Sequence, residues 1–80
     1  MRIINELSIE GCKVTFYSWN NRYIIKVEQG FLEQTFKINQ FDIADESALS
    51  HIIDQTFMEG ALKRFTEMDQ SLAKAVERHT

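Results

Sequence analysis

The stretch CKVTFYSWNNRYIIKVE, residues 12 to 28, limits the possible folds more than any other part of the chain. Two alternating runs meet at Asn20-Asn21, and asparagine accepts positive φ more readily than any residue but glycine, so the pair fits a two-residue primed turn. With that loop the pairing follows. Trp19 faces Arg22, Tyr17 faces Ile24, Thr15 faces Lys26 and Lys13 faces Glu28 on one side of the sheet, while Phe16 faces Ile25 and Val14 faces Val27 on the other. Val14, Phe16, Tyr23, Ile25 and Val27 then share one face without exception. A slip of one residue would scatter them, so register is specified together with the hairpin.

The flanking segments extend the sheet. Residues 2–9, RIINELSI, place Ile3, Leu7 and Ile9 on one parity interrupted by Asn5, and read as a short edge strand set off by Gly11. After the hairpin, Gln29-Gly30 offers a second turn, and LEQTFKINQF continues the alternation with Leu32, Phe36 and Ile38 on one face. That loop sets Val27 against Leu32, Tyr23 against Phe36 and Lys26 against Glu33, with Gln34 on the core face and Arg22 opposite Lys37. A loop at Gly30-Phe31 preserves the faces but opposes Glu28 to Glu33, which favours Gln29-Gly30. The expected strands cover residues 2–9, 12–19, 22–28 and 32–40.

From Asp42 the apolar period becomes helical. Asp42 or Asp45 can cap a helix with Glu46 in its first turn. The stripe of Leu49, Ile52, Ile53 and Phe57 and the stripe of Met58, Ala61, Leu62, Phe65, Leu72 and Val76 are centred roughly 135° apart at about 100° per residue. One straight helix cannot bury both on a single sheet. A helix over residues 46–77 would also run roughly 48 Å, against about 27 Å for an eight-residue strand. A break near Met58 to Gly60 is therefore expected, giving helices over about 46–57 and 60–77. Glu59 with Lys63 and Lys63 with Glu67 form solvated four-residue pairs on the second helix.

The fold class that results is α+β: a four-stranded antiparallel meander followed by a C-terminal helical segment of two helices packed on one sheet face, as one domain over residues 1–80. Its expected core is Val14, Phe16, Ile25, Val27, Phe36, Ile38, Leu49, Ile53, Phe57, Leu62, Phe65 and Leu72. A chain of 80 residues removes only roughly 60 to 65% of its unfolded surface on folding, so its core is marginal alone.

Charge and cysteine usage narrow the function. The net charge is −3, and the acidity lies in the C-terminal half, which argues mildly against phosphate backbones as partners. One cysteine, Cys12, cannot form an internal disulfide and suits a packed, reduced thiol. The N-terminal stretch MRIINELSIEG carries Glu6 and Glu10 and no long apolar run, so neither an export signal nor a membrane anchor is read there. A cytoplasmic location is expected, most simply a bacterial one.

Groups that could carry chemistry are few. Ser47, His51 and Asp54 occupy adjacent helical positions, but one exposed helix face offers no oxyanion donors and no pocket. His79 lies beside the chain end, and pairing Cys12 with His51 would need a third polar group and an open site. Two histidines and one cysteine without zinc spacing argue against a metal. Gly11, Gly30 and Gly60 stand singly at element boundaries rather than in a phosphate loop. No cofactor and no enzymatic role are expected.

The outward sheet face is the informative surface. It carries Tyr17, Trp19 and Ile24 among Lys13, Thr15, Arg22, Lys26, Thr35 and Lys37, with Glu28 and Glu33 at one end. Cross-strand packing of Trp19 on Arg22 and Tyr17 on Ile24 is the plain structural account. The functional expectation is a non-enzymatic module that self-associates as a homodimer or meets another protein, either through the outward face with Tyr17, Trp19, Arg22, Ile24, Lys26 and Lys37 or through the long second helix, which overhangs the sheet. The alternative is single-stranded nucleic acid, with bases stacked on Tyr17 and Trp19 and phosphates held by Lys13, Arg22, Lys26 and Lys37. Four strands followed by helix resembles, in element order, the PUR-type single-stranded DNA and RNA binding domains, which pair two such units; the resemblance implies nucleic-acid contact and pairing of copies.

Overall fold

Three two-residue loops, spaced ten residues apart, divide the first half of the chain into four eight-residue strands: β1 (Arg2–Ile9), β2 (Cys12–Trp19), β3 (Arg22–Gln29) and β4 (Leu32–Asn39). The computed structural model describes all residues 1–80 and orders these strands β1-β2-β3-β4 in one antiparallel meander. The loop residues have the positive φ that primed turns require: Glu10 at 48° with Gly11 at 79°, Asn20 at 50° with Asn21 at 60°, and Gly30 at 58°. The β2–β3 pairing is the one the alternation dictates, from Lys13 opposite Glu28 to Trp19 opposite Arg22.

The third turn corrects the expected register. Its loop is Gly30-Phe31, with Gln29 opposite Leu32, Val27 opposite Gln34, Tyr23 opposite Ile38 and Glu28 opposite Glu33. Positive φ at the first loop position is where glycine is needed, and Gly30 supplies it. The repulsion that argued against this register is relieved by Lys26, whose Nζ lies 3.9 Å from Glu28 and 3.4 Å from Glu33. Arg22 also pairs with Asn39 rather than with Lys37.

β1 corrects a second expectation. The register with β2 shifts between Ile3 and Asn5, so Leu7 and Ile9 stay opposite Val14 and Cys12 on the core face while Ile3 stands opposite Tyr17 on the other. An extra residue in one strand reverses side-chain direction beyond it. Ile4 packs against the core, and Ile3, at 59% exposure, does not.

After β4, short 3-10 turns at Gln40–Asp42 and Glu46–Ala48 lead to a single helical turn, α1 (Leu49–Ile52), and the long helix α2 (Gln55–Arg78). Arg2 of β1 pairs with Glu46 of the second 3-10 turn. The helical break therefore falls at Ile53 and Asp54, not at Met58 to Gly60. Ile53 leaves helical geometry with ψ of 64°, and Asp54 is an extended N-cap whose carboxylate accepts the Phe57 amide at 2.8 Å. That side-chain cap restarts the helix. Gly60 sits inside α2, where its missing Cβ leaves room for the Arg64 guanidinium, which a Cβ would meet at 3.1 Å.

The break lets both apolar stripes face one sheet. Leu49 and Ile53 before it and Met58 and Phe65 after it join Cys12, Val14, Phe16, Tyr23, Ile25 and Val27 in the core. Phe36, Ile38, Phe57 and Leu62 pack around that cluster, half-buried. Leu72 leaves the expected core: it is 55% exposed. The reason is length. α2 spans roughly 36 Å and the strands about 27 Å, so the helix outruns the sheet. The radius of gyration, 14.5 Å, exceeds the roughly 12 Å of a compact chain this long.

One polar link joins helix and sheet. Gln34 is buried on the core face, donating from Nε2 to the Ala61 carbonyl at 2.9 Å and accepting at Oε1 from Arg64 Nε at 2.8 Å. Arg64 is held in turn by two rings, 5.9 Å from the centroids of both Phe36 and Phe57, which meet edge-on at 5.2 Å. The core-face glutamine is thus satisfied on both ends of its amide.

Glu10 is the residue least suited to its backbone, since a left-handed conformation costs a β-carbon-bearing residue about 1 kcal/mol and asparagine less. Glu10→Asn, which creates the favoured Asn-Gly turn, should raise stability by about 0.5 to 1 kcal/mol. Urea unfolding should show a higher midpoint with an unchanged slope.

Candidate interaction surface

The helices cover one face of the sheet and leave the other bare. Along its rows, the outward face sets Trp19 beside Arg22 and Asn39, then Ile3, Tyr17, Ile24 and Lys37, then Glu6, Thr15, Lys26 and Thr35, and finally Ser8, Lys13, Glu28 and Glu33. The apolar side chains collect at the end near the β2–β3 turn together with Arg22 and Lys37, and the carboxylates, with Lys13 and Lys26, at the other.

The six residues singled out from sequence all lie on this face, in unequal environments. Trp19 is 44% exposed and Tyr17 half-buried, with Arg22 and Lys37 exposed. Ile24 is only 6% exposed, because its neighbours already fold over it; it is the floor of the patch. Met1, Tyr17, Trp19, Ile24 and Lys37 line a shallow open cleft there. The bulge in β1 adds what sequence reading missed, since Ile3 and Met1, at 59% and 74% exposure, border the aromatics. The interrupted alternation at Asn5 was the signal for that bulge.

The cations divide into two groups. Lys26 is held by Glu33 and Glu28, and hydrogen bonding to Glu33 with the charge of both keeps its ammonium protonated to higher pH than usual. Lys13 lies 3.9 Å from Glu6. Arg22 and Lys37 have no carboxylate partner. Half of the basic set is therefore neutralised within the sheet.

The residues weighed for chemistry are held elsewhere. Ser47 Oγ donates to the Asp45 carboxylate, whose pKa that bond lowers, and Asp54 caps α2, so neither is bonded to His51. Cys12 is 1% exposed, on the core face, with Gln29 Nε2 3.9 Å from its sulfur. Burial, with the nearby charge of Glu10, pushes its thiol pKa up, so the unreactive protonated form persists. No helix is long and apolar enough to cross a membrane.

The fold is thus an α+β sheet-and-helix arrangement with one uncovered sheet face. No family model matches the chain, and neither the curated proteins nor the solved structures contain a significant match.

Two measurements check this description. Thr15 is 1% exposed on the outward face and its hydroxyl has no hydrogen-bond partner. Thr15→Val removes that orphan at nearly constant volume, so stability should rise by about 1 kcal/mol in denaturant titration. Cys12 should react with iodoacetamide far more slowly in the native protein than in urea. Its raised pKa adds stability that is complete below the ordinary thiol range and is lost as pH climbs through the folded value.

Proposed function

We propose that this chain is a non-enzymatic interaction module that self-associates through the outward face of its sheet. The observation that carries the proposal is the contiguous, uncovered patch of Met1, Ile3, Trp19 and Tyr17 over a buried Ile24 floor. A two-fold contact would place this patch on its own copy, with Trp19 and Arg22 as the kind of anchors that interfaces favour. The face measures roughly 500 Å², four strands about 4.8 Å apart by about 27 Å. That is below the roughly 800 Å² per partner of a standard interface, so micromolar affinity is expected. A packed, protonated Cys12 suits a reducing compartment, and the cytoplasm is the natural placement.

Single-stranded nucleic acid is the second reading, favoured by the unpaired Arg22 and Lys37 beside two aromatic rings. Two phosphate contacts, rather than four, would give weak and shallowly salt-dependent binding. The neutralised Lys13 and Lys26 place it second.

Trp19→Ala should weaken the dimer about tenfold or more and leave the fold unchanged by circular dichroism. Light scattering across a hundredfold concentration range reads it. Assembly identical to wild type at micromolar concentration removes the sheet-face contact. Quenching of Trp19 fluorescence by a short oligonucleotide at low salt would instead favour the second reading.

A further inference from the structure

The sheet has two free edges, and the chain treats them differently. The β1 edge is blunted along its length. Its register breaks between Ile3 and Asn5, Asn5 Oδ1 accepts the outward-facing amide of Glu6 at 2.8 Å, and Arg2 is held by Glu46. The β4 edge has none of these protections. All eight residues Leu32–Asn39 pair with β3 without a shift. Gln40 N donates to Asn21 O at 3.0 Å at the end of that ladder, so the even-numbered residues of β4 bond to β3. The amides and carbonyls of Glu33, Thr35 and Lys37 therefore point away from the sheet, and neither a loop nor a side chain supplies those amides with a partner.

We propose that β4 pairs with β4 of a second copy, antiparallel about a two-fold axis through Thr35, joining two sheets into one. The strand's own sequence selects a second copy as the occupant. Centring on Thr35 sets Glu33 opposite Lys37 of the other copy on the outward face, and Leu32 opposite Ile38 on the core face. Other two-fold registers lose this match. Centres at Glu33 or Lys37 oppose like charges, and centres at Gln34 or Phe36 leave both charged residues facing neutral ones. The hydrogen-bonding parity agrees, because Glu33, Thr35 and Lys37 are the residues whose backbone groups face outward. In this register each exchanges both backbone bonds with an opposite residue of the same set.

The charges are free to do this. Lys37 has no carboxylate partner in the chain, and Glu33 meets Lys26 through Oε2 at 3.4 Å, which leaves Oε1 for the incoming ammonium. Lysine on an edge strand discourages pairing with an arbitrary strand, whereas here the other copy supplies its carboxylate. Leu32, Phe36 and Ile38 are only half-buried, and pairing covers them. The same register brings Phe31 of one copy, 108% exposed, opposite Asn39 of the other, close to Phe41, 86% exposed. Two Arg64 groups also approach near the axis, above Phe36; both are exposed, so their repulsion is small. A two-fold contact uses up both edges it joins and stops at two copies. One short strand per copy stays under the roughly 800 Å² per partner of a standard interface, and the association expected is micromolar.

This contact does not rest on the outward-face contact, since Trp19 lies on β2, two strands in from the β4 edge. Sedimentation velocity from about 1 to 500 μM on wild type, Glu33→Lys, Lys37→Glu and an equimolar mixture of the two variants tests it. Both positions are exposed, so circular dichroism should be unchanged. Each variant alone opposes like charges and should raise the dimer dissociation constant about tenfold. The mixture opposes unlike charges at both positions and should recover wild-type association. Amide exchange followed by NMR gives a second readout: the Thr35 amide should exchange about threefold or more slowly at 500 μM than at 20 μM, in wild type and in Trp19→Ala, while the Ser8 amide on the β1 edge should not change. Association untouched by either variant, a mixture no tighter than its components, or a Thr35 amide that exchanges freely in the wild-type dimer overturns this proposal and leaves the outward-face contact standing. A wild-type monomer across the whole range overturns both.

Discussion

The structure depends on the geometry of three tight turns. Each needs positive φ at its first loop position, and Glu10-Gly11, Asn20-Asn21 and Gly30-Phe31 meet that need at ten-residue intervals. Two-residue loops leave no freedom in pairing, so each turn sets the register of the two strands it joins and therefore which side chains reach the core. The Gly30-Phe31 loop sets Gln34 opposite Val27 on the core face, beneath α2. From there its amide reaches Ala61 and Arg64 and ties the helix to β4. Turn chemistry at one end of the sheet thereby decides how the helix is held.

Much of this was legible in the chain, and the errors have definite causes. The central hairpin was readable residue by residue because five apolar positions agree on one face and Asn20-Asn21 marks the loop. The third turn was misplaced by one residue because the opposition of Glu28 and Glu33 was counted without Lys26, which sits on the same face and bridges both. The helix break was expected because two apolar stripes diverge and was placed where the second begins, near Met58 to Gly60; the Asp54 side-chain cap restarts the helix four residues earlier, and Gly60 lies within α2. Leu72 was taken for core because its stripe is continuous. Periodicity reports which face a residue shares, not whether a sheet extends far enough to cover it.

The outward face was legible as a position and not as an environment. Sequence places Tyr17, Trp19, Arg22, Ile24, Lys26 and Lys37 together, and the register bears that placement out. It does not show that Ile24 is already covered, that Lys26 is engaged, or that a bulge brings Ile3 to the same side. The engagement of Lys26 and the arrival of Ile3 shift the surface from a basic character toward an apolar one, while the covered Ile24 takes apolar area out of it. They come from neighbours on adjacent strands, which a pattern read along one strand does not contain.

The strictly sequential order of the sheet bears on how the molecule assembles itself. Every strand pairs only with its neighbour along the chain, so each pairing closes a loop of two residues and the ordering cost of bringing distant segments together is small. Contacts so local in sequence place a fold toward the fast end of the kinetic range for β-containing domains. The meander can zip outward from the Asn20-Asn21 hairpin without waiting for the helix. A sheet that forms in this way has, for a time, both faces open to water, and the docking of α2 through Met58, Ala61 and Phe65 is the step that distinguishes one from the other.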